Sequence, residues 1–463
     1  MLLQLIDRLH ANFSPFSRCV WETPFLVREP SFTPLPDLPL EIWLEIFQFA
    51  THVYGTSTIE PLDPFTVKTP GNILVTNTPN TSMRTKCVLV SVNRAWRRMA
   101  LQILYQHIVI RSPLRATLVL QTLREAPEYG YWTRHIEIYT HARGSNSLPF
   151  LQTVHRILQY CSRLRMLSAS WRFPLPKEFL AAVSVSCSSS LQGLYWDEQK
   201  YLRSLDHAPL NFLGSFKALH ILDLRNFVGD STSDDSRPVL QNVKHLILSN
   251  RGPNIFIASL FTLPTVHTLT MYTVVDGQVP DAVQITKLLK AHGSTLTNVH
   301  LPSPSNTSDP QAPELTVETR TTGIHVPPAL FLQLCPNLDT ISFSANSPLM
   351  GDCSHTTLRR VALYSVRSDK LYPKPSRSKR RNASATSPGG PSSLHFSLAV
   401  NHLRSLTRES FPALETVRTA GFLVSAAADS DSQIKDVFIS WREHFERDGV
   451  DFQDGEGVVW VYE

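Results

Sequence analysis

The chain has 463 residues, 42% hydrophobic and 18% charged, with 44 Lys+Arg against 39 Asp+Glu. That length holds two or three ordinary domains, or one small domain and a long solenoid, and a net charge of +5 is too small to demand a nucleic-acid or membrane partner. Cys19, Cys87, Cys161, Cys187, Cys335 and Cys353 are scattered, with no C-x-x-C pair and no histidine at zinc-finger spacing, so they read as reduced thiols of a cytosolic or nuclear protein.

Residues 1–34 start with an apolar run broken at Gln4 and ended by Asp7-Arg8, with no cationic stretch before it, so it does not read as a secretory signal. Pro15, Pro24, Pro30 and Pro34 make the rest an extended lead-in after a short helix. Nowhere do eighteen apolar residues follow one another, as a membrane-spanning helix requires.

Residues 35–50, LPDLPLEIWLEIFQFA, signal a short and very apolar helix. Asp37 can cap it, Pro39 suits its first turn, and Glu41 and Glu45 complement the positive end of the dipole. Leu38, Leu40, Ile42, Trp43, Leu44, Ile46, Phe47 and Phe49 cover far more than one face. Residues 51–82, rich in Pro, Thr and Asn, read as a loop. In residues 86–108 Val88, Leu89, Val92, Trp96, Met99 and Ile103 recur at helical spacing, predicting a second amphipathic helix.

These two segments together resemble the F-box, the helical motif by which substrate receptors of Skp–cullin–F-box ubiquitin ligases dock on the Skp adaptor. The resemblance covers residues 35–110 and rests on Leu38-Pro39, Glu41-Ile42 and Ile46-Phe47, then Leu89, Val92, Arg94, Trp96 and Arg97, then Leu104-Tyr105. Asn93 stands where the family often has Cys, and the loop at 51–82 is an insertion. A helical hairpin capping the downstream domain accounts for the same pattern.

From residue 160 onward the chain repeats. The triads are Leu164/Leu167/Ala169, Leu191/Leu194/Trp196, Leu219/Leu222/Leu224, Val243/Leu246/Leu248, Val266/Leu269/Met271, Leu296/Val299/Leu301, Leu338/Ile341/Phe343, Leu358/Val361/Leu363 and Leu414/Val417/Thr419, with a weaker copy at residues 134–138. The last two members of each triad point to one side of a strand, and helical patterns such as those at 149–161 and 281–293 lie between triads. Over residues 130–422 this resembles the leucine-rich repeat, though the family's Asn is met at Asn346 and, one place early, at Asn226 and Asn250. A doubly wound α/β fold also alternates strands with helices, but its buried strands are longer runs of Val and Ile.

Residues 302–327 and 369–393 break the period and read as protruding loops, the second carrying a basic run, Lys374, Arg377, Lys379, Arg380 and Arg381, that suits an import address or a solvated loop. Residues 432–449 place Ile434, Val437, Phe438, Trp441 and Phe445 on one helical face, a terminal cap, and residues 458–462, VVWVY, predict a last strand. The fold expected is thus α/β: a lead-in (1–34), a small helical F-box (35–110, insertion 51–82), and an irregular leucine-rich-repeat-like solenoid of parallel strands (111–463).

No phosphate loop, nucleophile elbow or H-E-x-x-H occurs. The pairs His135/His141 and His292/His300 read as surface or strand-flanking histidines rather than metal ligands, and the acidic end, Glu443 to Glu456, as a solvated face. No enzyme, cofactor or metal is expected. Recognition remains: alternate strand residues face away from the core, and among them Tyr195, Asp223, Arg225, Tyr272, Arg360 and Tyr364 are the expected anchors for a protein target. The F-box resemblance implies adaptor contacts from Leu38, Pro39, Ile42, Ile46, Phe47, Leu89, Val92 and Trp96. It implies partnership with a Skp adaptor and, through it, a cullin, in cytoplasm or nucleus. The alternative is a leucine-rich-repeat scaffold outside the ubiquitin machinery; nucleic acid is a weak third, since the basic run lacks interleaved aromatics.

Overall fold

The computed structural model describes residues 38–53, 63–65, 77–140, 147–173, 175–198, 208–227, 229, 238–273, 281–302, 325–366, 371, 392–420 and 432–461. The lead-in, the Asp37 cap, Cys19, His141 and the basic run lie outside them, as do both long loops apart from their ends. By internal packing the chain divides into residues 1–43 and 44–463. In the first unit, the described residues 38–43 open helix α1 (Leu40–Thr51), where the Ile42 and Trp43 amides donate to the Pro39 carbonyl at 3.1 and 3.2 Å.

The second unit continues α1 into α2 (Pro79–Val92) and α3 (Arg94–Tyr105). The single helix expected at 86–108 is therefore two. Asn93 is extended, at φ −158° and ψ 176°, and its side-chain oxygen accepts from the Trp96 amide at 2.8 Å, so it ends one helix and caps the next. The expected loop likewise stops short of residue 82, because Thr78 caps α2 by accepting from the Thr81 amide at 3.1 Å.

Beyond α3 strands and helices alternate. The strands are β1 (His107–Ile110), β2 (His135–Tyr139), β3 (Met166–Trp171), β4 (Gly193–Glu198), β5 (Ile221–Asp223), β6 (His245–Ser249), β7 (Thr268–Tyr272), β8 (Asn298–His300), β9 (Thr340–Ser344), β10 (Arg360–Tyr364), β11 (Thr416–Arg418) and β12 (Asp451–Gln453). The helices are α4 (Pro113–Glu125), α5 (Glu128–Trp132), α6 (Ser147–Tyr160), α7 (Lys177–Cys187), α8 (Leu210–Gly214), α9 (Gly252–Leu260), α10 (Ala282–His292), α11 (Pro328–Leu334), α12 (Ser392–Ser405) and α13 (Ser432–Glu446). All twelve strands form one parallel sheet, in the order of the sequence. The order never reverses, which excludes the doubly wound arrangement.

Register explains why the strands stack in this order. One row across the sheet reads Ile108, Ile136, Leu167, Leu194, Leu222, Leu246, Leu269, Val299, Ile341, Val361, Val417 and Phe452, every member apolar. With the inward residues of the helices it makes one hydrophobic cluster from Ile108 to Phe452, each buried aliphatic side chain stabilising by about 1.5–3 kcal/mol. Trp171, Trp196 and Phe212 thicken the core, with ring centroids 5.4 and 5.0 Å apart.

Each of the nine triads and the weaker copy before them is a strand, β2 to β11. Two strands, β1 and β12, lie outside the triads named above, so the sheet is longer than the nine or ten strands expected and, at about 4.8 Å per strand, spans roughly 50 Å. The strand expected at 458–462 is a correction: residues 458–461 are not strand, and β12 lies earlier, at Asp451–Gln453. Asp454 turns the chain back, accepting from the Val458 amide and the Trp460 indole at 2.9 Å each. The expected cap is present as α13, whose Phe445 ring stacks on Phe452 of β12 at 5.4 Å; the Ile434 side chain lies outside the described residues. No helix among the described residues is long and apolar enough to cross a membrane.

An asparagine outside the expected set also closes a turn. Asn254 of α9, 3% exposed, donates to the Leu224 and Phe227 carbonyls at 2.8 and 2.6 Å and accepts from Ser249. The row of apolar residues makes a direct prediction. Leu246→Ala, at the middle of the sheet, should destabilise by about 2–5 kcal/mol, whereas Val239→Ala, half exposed, should stay within about 0.5 kcal/mol; denaturant unfolding that ranks them equally would refute the register-based core.

Candidate recognition face

The rows flanking the apolar one point the other way, and they are mostly polar. The nearer row runs Val109, Glu137, Ser168, Tyr195, Asp223, Ile247, Thr270, His300, Ser342, Ala362, Arg418 and Gln453. Strand alternation alone puts these side chains opposite the core, and about 4.8 Å between strands brings neighbours in a row within hydrogen-bonding reach.

Four of the six expected target anchors meet in the middle. Arg225, just past β5, pairs with Asp223 at 2.9 Å, and its guanidinium lies 5.3 Å from the Tyr195 ring and 4.6 Å from the Tyr272 ring. Tyr195 in turn donates to Asp197 at 3.4 Å and accepts from Asn226 at 3.3 Å, and Ser170 donates to Asp197 at 3.0 Å. Burial works against the Arg225 cation, but the Asp223 carboxylate outweighs it and holds Arg225 above its ordinary value. Burial, then the Asp197 and Asp223 charges, pushes the Tyr195 phenol up, so it stays a hydrogen-bond donor.

Arg360 belongs elsewhere, bonded to Asp339 at 3.3 Å and to Asp63 of the α1–α2 connection at 3.2 Å. Tyr364 ends β10 opposite Ser344, away from both groups in register. Of the histidines read as surface or strand-flanking, His135 opens β2 and His300 ends β8, but the surface alternative is a correction: His135, His292 and His300 are buried, as is His245. His245 bonds Thr270 at 2.8 Å and His300 bonds Ser342 at 2.9 Å, cross-strand pairs that a sequence read strand by strand does not bring together.

The eight expected adaptor contacts divide in two. Leu38, Pro39, Ile42, Ile46 and Val92 are exposed; Phe47 and Leu89 are buried. Phe47 packs on the half-buried Trp96 with ring centroids 4.8 Å apart, so this pair braces α1 against α3 rather than offering surface. Exposed residues that the expectation omitted are Phe49, 75% accessible, and Val88, 62%.

A juxtaposition missed from sequence lies at the β1 edge, where His107 and His135 stack at 4.4 Å and 8° over Glu137. Glu137 Oε1 is 3.1 Å from His107 Nε2 and 3.9 Å from His135 Nε2. Burial disfavours the Glu137 charge, yet the His107 hydrogen bond and the neighbouring His107, His135 and Arg111 charges hold it below its ordinary value. Parallel rings aim their nitrogens side by side rather than at one point, as tetrahedral ligation requires, and His135 already meets Ser168 at 3.0 Å. The trio is a stacked histidine pair beside a carboxylate. Burial likewise pushes the Cys161, Cys187 and Cys335 thiols up to about 12, which keeps them protonated and unreactive. A cavity of about 260 Å³ between α4 and α6, lined by Leu120, Arg124, Arg156, Gln159 and Tyr160, is below the usual size of a metabolite site.

Two predictions follow from the face. A double-mutant cycle on Asp223→Ala and Arg225→Ala, read by denaturant unfolding, should give a coupling of about 0.5–3 kcal/mol; additive single effects would mean that the pair does not act as a unit. Burial also holds His245 down at about 3 and His300 at about 4, so both are neutral in the fold while an unfolded chain protonates near 6.5. Their contribution is complete above pH 6.5 and is lost as pH falls from there toward 4. Between pH 7 and 5 the loss should be roughly 2 kcal/mol per histidine, and thermal melts of a His245→Gln, His300→Gln variant should show a visibly flatter pH dependence. Comparison of the chain with protein-family models finds no match, and comparison with curated proteins finds no relative.

Proposed function

We propose that the chain is the substrate-receptor subunit of a Skp–cullin–F-box type ubiquitin ligase, with α1–α3 as its F-box and the strand–helix repeats as an irregular leucine-rich-repeat solenoid. In this reading the helices hold the Skp adaptor, the strand face holds a protein target, and ubiquitin is transferred by the ligase assembled on the adaptor. The chain itself catalyses nothing and works in cytoplasm or nucleus.

The observation that carries the reading is apolar exposure along the helices of the motif, at some of its residues and at neighbours of them. Leu38, Leu40, Ile42, Ile46 and Phe49 on and just before α1, with Val88 and Val92 on α2, are all exposed. Each of these side chains that becomes buried on docking contributes about 1.5–3 kcal/mol before association costs. The polar, aromatic and arginine-rich strand face supports the second half of the reading, because Tyr and Arg are the usual anchors of protein interfaces.

Co-purification with a Skp adaptor tests the proposal. A Leu38→Ala, Pro39→Ala, Ile42→Ala variant should lose adaptor binding at least tenfold while keeping its melting temperature, since all three side chains are exposed. If the variant retains the adaptor as well as the parent chain does, the F-box assignment fails.

A further inference from the structure

Residues 63–65, Asp-Pro-Phe, fall in the connection between α1 and α2, yet they end on the strand face at β10 and β11, some 300 positions away in the chain. Arg360 Nη1 donates to the Asp63 carboxylate at 3.2 Å. Arg418 Nη1 donates to the Pro64 and Phe65 carbonyls at 3.1 and 2.8 Å, and its other nitrogens donate to the Gln453 side chain at 3.1 and 2.7 Å. The Phe65 ring lies 5.1 Å from each guanidinium carbon. The segment is shaped for this seat by its own turn, in which the Phe65 amide donates to Asp63 at 2.9 Å.

The seat is part of the face, not of the core. Ser342 and Ala362, small residues between His300 and Arg418 in the polar row, are fully buried although they point away from the apolar row. Arg418 itself is 7% exposed, and the acceptors it touches are neutral oxygens, two of them supplied by residues 64 and 65. A buried guanidinium that loses its acceptors is costly. Burial pulls Arg418 below its ordinary value, with the Asp63 charge acting against that pull. This end of the face is therefore built to receive a carboxylate, two successive carbonyls of a turn and an aromatic ring, groups that paired arginines can bind by charge, hydrogen bond and ring contact.

We propose that the Arg360–Arg418 end of the strand face is a receptor site for a short acidic–aromatic segment of Asp-Pro-Phe type in a protein partner, and that the chain's own residues 63–65 fill it in cis as a competitor. The inference rests on the reading of the strand face as the recognition surface and not on adaptor docking. A segment on the same chain competes at an effective concentration on the order of millimolar, so a partner succeeds by higher affinity or when the connection is drawn away. Apparent affinity falls in proportion to the fraction of molecules whose site is vacant.

The test is fluorescence anisotropy of a labelled synthetic peptide with Asp-Pro-Phe at its centre, titrated with the full chain. Vacating the site with Asp63→Ala, Phe65→Ala should raise peptide affinity at least tenfold over the parent, and adding Arg360→Ala to that variant should remove the gain; a peptide with Ala-Pro-Ala should not bind. Equal affinity for parent and vacated chain, no binding to either, or a gain that survives Arg360→Ala overturns the proposal. Fluorine NMR of a chain carrying fluorophenylalanine at position 65 gives a second readout without vacating the site. Excess peptide should shift that signal to its displaced position, and an unmoved signal at saturation also overturns the proposal. Adaptor co-purification on the parent and the same variants separates the two readings: no adaptor on any of them with the peptide gain intact rejects the ligase assignment alone, and adaptor binding without the gain rejects the receptor site alone.

Discussion

The sheet depends on one row of side chains. Ile108 through Phe452 stand in register across twelve strands, and each strand is so short, three to six residues, that a slip of one residue would turn its apolar positions outward. No strand can bury that row alone. Each is held by the strand before it and the strand after it, so the unit is stabilised locally and its ends need covering. At one end α13 supplies the cover, stacking Phe445 on Phe452; at the other, β1 follows directly on α3, with Tyr105 stacked on Tyr129 at 4.4 Å.

Once the apolar row is fixed, the opposite face has no freedom in what it brings together. The side chains one place before and one place after each core residue must stand in two further rows, and the chemistry of neighbours decides whether those rows are costly or stable. His245 meets Thr270, His300 meets Ser342, Tyr195 meets Asp197, and Asp223 meets Arg225. Burying these polar side chains is tolerable because each has at least one partner across or along the strands, although His245 Nδ1 is left without one among the described residues.

That logic also divides what was legible in the sequence from what was not. The strands β2 to β11 were legible because a triad of apolar residues reports which side of a strand is covered, and this depends on local spacing alone. β1 carries the spacing as Tyr105/Ile108/Ile110, with an aromatic in first place and at the end of a helical pattern, and Phe452 is a single aromatic in an acidic stretch, so neither end of the sheet matched the aliphatic triad. The VVWVY stretch has high strand propensity, yet Asp454 and Gly457, at φ 83°, turn it back before it can pair. The membership of the Tyr195–Asp223–Arg225–Tyr272 cluster was legible as residue types on one face, but its geometry follows from loop lengths between strands. The His107–Glu137–His135 stack and the seat of Asp63 depend on which residues meet across the sheet, and no local pattern encodes that.

Two arginines on this face illustrate how differently one physical problem is solved at its two ends. Arg225 carries its own answer: Asp223 is two residues before it on the same strand–turn unit, and Tyr195 and Tyr272 flank it from adjacent repeats. Nothing outside the repeats is needed, so the cluster is a fixed feature of the surface. Arg418 has fixed partners in Gln453, by hydrogen bond, and in the Asp454 charge, and a Cβ at Gly457 would run into its guanidinium. Its remaining acceptors come from residues 64 and 65, which belong to no repeat and to no helix or strand. A cation whose last acceptors arrive on a connecting segment is satisfied only while that segment is seated. The middle of the face is thus complete as folded, and its β10–β11 end is completed by something that another chain with the same three groups could supply.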